Sequence, residues 1–219
     1  MSDATTWRST WRNWMYTLFH APRGTVGRPE SAQVWDADYR ADRWSKLDGA
    51  PQLGHYAVIA AYVGHFFPDR PRILDVGCGH GRLLQLLKLR PFGAYLGFDL
   101  SEQAVRRAAL DAPPNARFET GDMESWTSTE QFDVVLISDS LQYTRRPLEV
   151  LERYRALLAP EGRRIVCLAQ GSLNWGIERE LRRRFAVECS TLVRNEAGEA
   201  WDVKVLDGGN SSRGCRTDV

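Results

Sequence analysis

Seven residues, Asp75-Val76-Gly77-Cys78-Gly79-His80-Gly81, place three glycines directly behind a carboxylate. They follow an apolar run, Arg72–Val76, that reads as a buried strand, and they precede a Leu-rich helical run, Arg82–Leu89. Glycines at a strand-to-helix turn let the backbone bend tightly and approach a ligand closely. The spacing is GxGxG, not the GxGxxG of dinucleotide sites. A carboxylate two residues ahead of the first glycine would repel a pyrophosphate and attract an ammonium group. The loop therefore favours a zwitterionic nucleoside over a nicotinamide dinucleotide; the competing reading is a turn that merely links strand to helix.

Two further acids stand at strand ends. Asp99 closes a second run, Ala94–Asp99, where a carboxylate accepts hydrogen bonds from both ribose hydroxyls in nucleotide-binding sheets. Asp122 follows a third run, Ala116–Thr120, within Gly121-Asp122-Met123-Glu124. It could accept an adenine amino proton, with Met123 lying against the ring, or it could simply form a turn. A fourth run, Phe132–Ser138, ends in Ser138-Asp139-Ser140, where Asp139 could act on an acceptor or could cap a helix. Tyr143 could line a substrate pocket or pack half-buried. Of the four histidines, His20 and His55 are candidate bases, and His80 in the loop reads as a residue that tolerates exposure. The four cysteines have no metal-ligand spacing, so no zinc and a reducing, cytoplasmic setting are expected.

The elements that must position these residues alternate. Strand-like runs interleave with helices at Ser101–Leu110 and Pro147–Leu158 before a fifth strand at Arg164–Leu168. This is the pattern of a parallel sheet with helices on both faces. After a helix near Leu173–Arg184, the β-rich runs Phe185–Arg194 and Ala200–Leu206 flank Asn195-Glu196-Ala197-Gly198 and predict an antiparallel hairpin. Three units are expected: an N-terminal helical lid over residues 1–50, a main domain over 51–206 and a Gly/Ser-rich flexible tail over 207–219. In the first unit, Trp7, Trp11, Trp14, Leu18 and Phe19 share one helical face. That face could pack on the domain, cover a substrate through Trp14, or lie in a membrane interface with Arg8 and Arg12 outward.

Hydrophobic residues make up 43% and charged residues 26% of the 219, which excludes a mostly disordered chain. A net charge of +1 gives no global field for nucleic acid, and the apolar stretch Tyr56–Phe67 is too short to span a bilayer. The N-terminus has no secretory-signal pattern. The expected partner is a small-molecule acceptor, with no nucleic acid, no stable membrane association and a monomeric or homodimeric chain.

The segments LDVGCGHGRLL, YLGFDLSEQAV, GDME and FDVVLISDSLQY resemble, in order and spacing, the motifs of class I S-adenosylmethionine-dependent methyltransferases. The resemblance covers about residues 35–206. It implies a Rossmann-like, doubly wound seven-stranded α/β sheet with an antiparallel C-terminal hairpin, and S-adenosylmethionine as cofactor. By the same resemblance Asp75, Gly77, Cys78, Gly79, Gly81, Asp99, Leu100, Asp122 and Met123 would bind that cofactor. Ser138 would touch its methionine portion and Asp139 would orient or deprotonate the acceptor, with His20 and His55 under the lid. Flanking segments WDADYRADRW and TLVRNEAGEAWDVKVL are similar to bacterial amino-sugar N-methyltransferases and natural-product tailoring enzymes. Ser-Asp-Ser-Leu lacks the Asn/Asp-Pro-Pro-Tyr/Phe motif of the DNA and protein-amide methylases. Three rival readings are a nucleotide-cofactor oxidoreductase, a non-catalytic cofactor-binding partner protein and an RNA methyltransferase.

Asp99→Ala removes both ribose hydrogen bonds in this reading. Hydrogen bonds to a charged group contribute about 1.5–3 kcal/mol each, so S-adenosylmethionine affinity should fall at least about tenfold. Unchanged affinity by calorimetry would take Asp99 out of the site.

Overall fold

Successive residues of a strand point to opposite faces of its sheet, so a strand covered on both faces reads as continuous apolar sequence. The computed structural model, which describes residues 27–208, shows this in β1 (Arg72–Val76) and β4 (Phe132–Ser138). Leu74, Val76, Val135 and Ile137 enter one core, and Ile73, Val134 and Leu136 enter the other. With β2 (Ala94–Asp99), β3 (Ala116–Thr120) and β5 (Leu158–Ala169) they form five parallel strands. The hairpin β6 (Val187–Arg194) and β7 (Ala200–Leu206) adds two more, with β7 antiparallel to β5. The strand order is β3-β2-β1-β4-β5-β7-β6. It reverses direction between β1 and β4, and open α/β sheets place their ligand crevice at such a switch point.

Among the described residues six α-helices flank the sheet: α1 (Ala32–Arg40), α2 (Ala50–Phe66), α3 (Arg82–Leu87), α4 (Glu102–Ala109), α5 (Pro147–Arg153) and α6 (Ser172–Arg184). α3 starts directly at Gly81, and Ser101 caps α4 by accepting the Ala104 N–H. Thus β1–loop–α3 and β2–Asp99–α4 aim their turns at the same end of the sheet. The segment ahead of α2 is fixed there by polar contacts. Asp36 Oδ1 on α1 accepts the Ser101 hydroxyl at 2.6 Å and the Gln103 N–H at 3.2 Å, so it lies on the open end of α4. Arg107 pairs with Asp42 at 2.8 Å and with Asp48 at 3.6 Å.

Two boundaries differ from the sequence expectation. The helix begun at Pro147 stops at Arg153, and a 3-10 turn, Tyr154–Leu157, replaces its last stretch. The fifth strand begins at Leu158 rather than Arg164, and its register on β4 slips: Phe132 faces Leu158, but Val134 faces Arg163. The intervening residues bulge around Gly162, where a Cβ would lie 3.0 Å from the Ala159 carbonyl and 3.1 Å from that of Asp133. A strand interrupted by Pro160-Glu161-Gly162 does not show itself in hydrophobic periodicity. Trp7, Trp11, Trp14, Leu18, Phe19 and His20, and the tail beyond Gly208, lie outside the described residues.

Asp36→Ala should leave the sheet intact and remove a helix-end acceptor, lowering unfolding free energy by about 1 kcal/mol. Urea unfolding of the two proteins side by side reads that difference; identical midpoints would mean α1 contributes nothing to the stability of α4.

Candidate active site

A cavity of about 350 Å³ opens at the carboxyl ends of the central strands, with the segment from Pro29 to Leu47 along one side. Its floor is the glycine loop. Gly77, Gly79 and Gly81 adopt φ of +71°, +56° and +82°, a region side chains disfavour. At Gly77 a Cβ would also lie 2.5 Å from the Ser140 Cβ. Ser140 secures that proximity by donating its hydroxyl to the Val76 carbonyl at 2.8 Å. The Gly77 and Cys78 N–H groups both donate to the Phe98 carbonyl, tying the loop to β2. Cys78 turns its thiol inward against Gly97, where burial raises its pKa.

Asp99 joins loop to helix. Its Oδ2 accepts the Gly79 N–H and its Oδ1 the Ser101 N–H, each at 2.9 Å. Asp75 lies at the base of the cavity, 2% exposed, and accepts the Tyr95 hydroxyl at 2.6 Å. Burial pushes its pKa up to about 7, with the nearby Asp99 charge acting in the same direction against that hydrogen bond. Asp122 Oδ1 accepts the Glu124 N–H, so the acid forms a turn and lines the cavity as well. Leu100, Met123 and Ser138 also line it.

Asp139 is held differently from the helix cap foreseen as its alternative. It sits at φ +50°, and Ser140, not Asp139, precedes the short 3-10 turn Leu141–Tyr143. Its Oδ1 accepts the Ala169 N–H at 2.7 Å and its Oδ2 the Trp201 indole N–H at 2.8 Å. The side chain therefore fastens the ends of β4, β5 and β7 together. Burial pushes its pKa up to about 6 against those two donors.

His55 is 1% exposed, stacks on Trp201 at 4.5 Å, and is not among the residues that line the cavity. Burial lowers its pKa to about 4, so the ring is neutral at pH 7. His55, Asp139 and Cys167 bring ligand-type atoms within 4.8 Å of one another. Each Asp139 oxygen already accepts one N–H, and burial raises the Cys167 thiol pKa, which disfavours the thiolate a metal would need. His80 departs from the exposed loop residue foreseen: its side chain is 6% exposed and its Nε2 lies 2.9 Å from Asp48 Oδ1. It thereby joins the loop to the covering segment.

Several lining residues escaped the sequence reading. Trp35, Tyr39 and Trp44 face the cavity from α1 and the turn after it. Trp35 meets Tyr143 edge-on at 4.8 Å and Trp44 at 5.6 Å. The Tyr39 hydroxyl sits where a Cβ on Gly79 would come within 2.8 Å. Their signal was present as aromatic residues four apart, Trp35 and Tyr39, on one helical face. From the other side come Gln52 and Tyr56 of α2, Glu199 and Trp201. Arg82, first residue of α3, lines the cavity without an ion pair among the described residues, and its Nε is buried without a hydrogen-bond partner.

The chain is similar to known proteins in sequence and in fold. Residues 74–164 match a family model described as a methyltransferase domain. A trans-aconitate 2-methyltransferase of Variovorax paradoxus is 35% identical over 97 residues, 43% of this chain and 37% of that relative. The chain spans less than half the length of the curated relatives it matches. Among solved structures, the N-methyltransferase NodS from Bradyrhizobium japonicum, in complex with S-adenosyl-L-homocysteine, superposes with a TM-score of 0.67 at 13% identity, covering 81% of this chain and 99% of that one. The [4+2]-cyclase SpnF gives 0.67 at 14% identity, covering 84% and 98%.

Asp75 generates a pH test. In the folded chain it keeps its proton up to about pH 7, whereas an unfolded carboxyl releases it near pH 4, so the folded state binds more protons between those values and loses stability as pH rises through them. Asp75→Asn cannot ionise. Without ligand, its unfolding free energy relative to the parent should rise by roughly 1–3 kcal/mol from pH 4 to pH 8. Parallel pH profiles in urea unfolding would mean that Asp75 titrates normally.

Proposed function

We propose that the chain is a class I S-adenosylmethionine-dependent methyltransferase and that it transfers a methyl group from S-adenosylmethionine to a nitrogen or oxygen atom of a small molecule. The observation that carries this reading is the convergence of Asp75, Asp99 and Asp122, from three successive strand ends, on one cavity beside the glycine loop. The cradle suits the cofactor. Asp99 keeps a free lone pair on each oxygen for the ribose hydroxyls after accepting Gly79 and Ser101. Asp75, buried and bonded only by a neutral phenol, gains an opposite charge when an ammonium approaches. Arg82 offers a guanidinium without a counter-ion to the carboxylate of the same aminoacyl group. Asp122 and Met123 border the place for the adenine.

The bound sulfonium supplies an electrophilic methyl group, and the protein's part is orientation and exclusion of water. Trp35, Tyr39, Trp44 and Tyr143 cover the acceptor side. Asp139 stands at the end of β4 with one lone pair left on each oxygen, in reach of an acceptor proton. We read residues 27–50 as part of the lid and 51–206 as the cofactor-binding domain, with a role in biosynthesis of a secondary metabolite or a modified sugar. Cys78, Cys167 and Cys189 are free thiols, in keeping with a cytoplasmic protein, and no helix among the described residues is long and apolar enough to cross a membrane.

Titration calorimetry with S-adenosylhomocysteine tests the reading, and 5′-methylthioadenosine, which lacks the aminoacyl group, is the control. Arg82→Met should weaken the first by about tenfold or more and leave the second nearly unchanged. Absence of S-adenosylhomocysteine binding to the parent protein would overturn the proposal.

A further inference from the structure

Resting on the methyltransferase reading, we propose that the acceptor is an amine that enters as an ammonium ion beside an apolar, flat body, and that the enzyme is an N-methyltransferase. The inner wall of the cavity carries the chemistry. Asp139, half-buried, and Glu199, exposed, both line the cavity. The Trp201 indole N–H on β7 reaches Asp139, and Glu199 directly precedes β7.

Among the described residues neither carboxylate has a cation partner. The Asp139 carboxylate accepts only the Ala169 and Trp201 N–H groups. Glu199 Oε2 accepts only the side-chain amides of Gln52, at 3.1 Å, and Asn195, at 2.7 Å. Among the described residues no Lys, Arg or His lies within ion-pair distance of either. Neutral donors orient a carboxylate and leave its charge standing, which an ammonium ion would neutralise. Trp35 and Tyr143 line the same cavity as an edge-to-face pair, and aromatic rings suit an apolar body bearing a cation.

The cations that line the cavity are placed elsewhere. Arg145 is 78% exposed and pairs with Glu124 at 3.9 Å. Lys46 is exposed and lies over the Trp44 ring at 5.6 Å. Arg82 heads the glycine-loop helix, on the cofactor side. A polycarboxylate such as trans-aconitate would meet Asp139 and Glu199 without compensation.

For transfer the ammonium first gives up one proton, to Asp139 or to water. The nitrogen lone pair then forms the N–C bond while the methyl–sulfur bond breaks and its electron pair stays on sulfur. The product is a methylated ammonium and a neutral thioether.

The test uses the full chain saturated with S-adenosylhomocysteine and three matched probes: 2-phenylethylammonium, 2-phenylethanol and phenylacetate. Calorimetry should show the ammonium binding at least about tenfold tighter than the carboxylate, with the alcohol between them. Glu199→Gln should reduce that preference several-fold, and S-adenosylhomocysteine affinity on the same preparation reports whether the variant is folded. An ammonium that binds no tighter than phenylacetate, including the case where neither binds, overturns the amine assignment even if S-adenosylhomocysteine binds normally. Failure of S-adenosylhomocysteine to bind strikes the methyltransferase reading instead, so the two failures are distinct.

Discussion

The Asp99 carboxylate is the interaction on which the site depends. One oxygen holds the Gly79 N–H and the other the Ser101 N–H, so a single side chain sets the glycine loop against the start of α4. The loop needs such an anchor because its three glycines occupy positive φ and lose more backbone entropy on ordering than other residues would. Burial raises the Asp99 pKa, and the backbone donors oppose that rise. The acid therefore couples three things: the end of β2, the shape of the loop, and a negative charge facing the cavity.

Asp139 repeats the device on the other side of the switch point. Its two N–H partners lie on β5 and β7, and the residue tolerates φ +50° in order to reach both. A carboxylate used this way is rigid, and it presents its remaining lone pairs to the cavity in a fixed direction. That rigidity distinguishes it from Glu199, which is exposed and held by two amide side chains. The acceptor wall is consequently stiffer at Asp139 than at Glu199.

Most of the fold was legible because its strands are buried on both faces and bounded by Gly and Asp turns; Arg72–Val76, Ala94–Asp99 and Phe132–Ser138 needed no correction. The hairpin was legible from two β-rich runs flanking Asn195-Glu196-Ala197-Gly198, and the alternating burial of Val187–Arg194 marks a strand with one face covered. The bulge at Gly162 was not, since a register slip depends on the partner strand and leaves no local period. In the site, the acids could be placed because each stands at or just past the carboxyl end of its strand. The contacts of His55 and His80 could not, because they join residues far apart in sequence: His55 meets Trp201 and His80 meets Asp48. Nothing local reports that an imidazole will be stacked behind a wall or tied to a lid. Trp35, Tyr39 and Trp44 were visible as aromatics, but their place at the cavity depends on long-range contacts that dock this segment, such as Asp36 on α4 and Asp48 on His80.

The net charge of +1 conceals how the charges are distributed. Arginines pair outward, as Arg163 does with Glu188 and Arg106 with Glu102, in contacts that solvent screens and that contribute little each. The one fully buried lysine, Lys204, is consumed by Glu178 and Asp202 behind the sheet, at 2.6 and 2.7 Å. Cations spent in these pairs leave the strand-end acids Asp75, Asp99 and Asp139 facing backbone amides, an indole and a phenol. A chain that is almost neutral as a whole thus lines the cavity with carboxylates, and low polarisability of the surroundings makes each one that is ionised and unpaired act more strongly on a bound cation than it would at the surface.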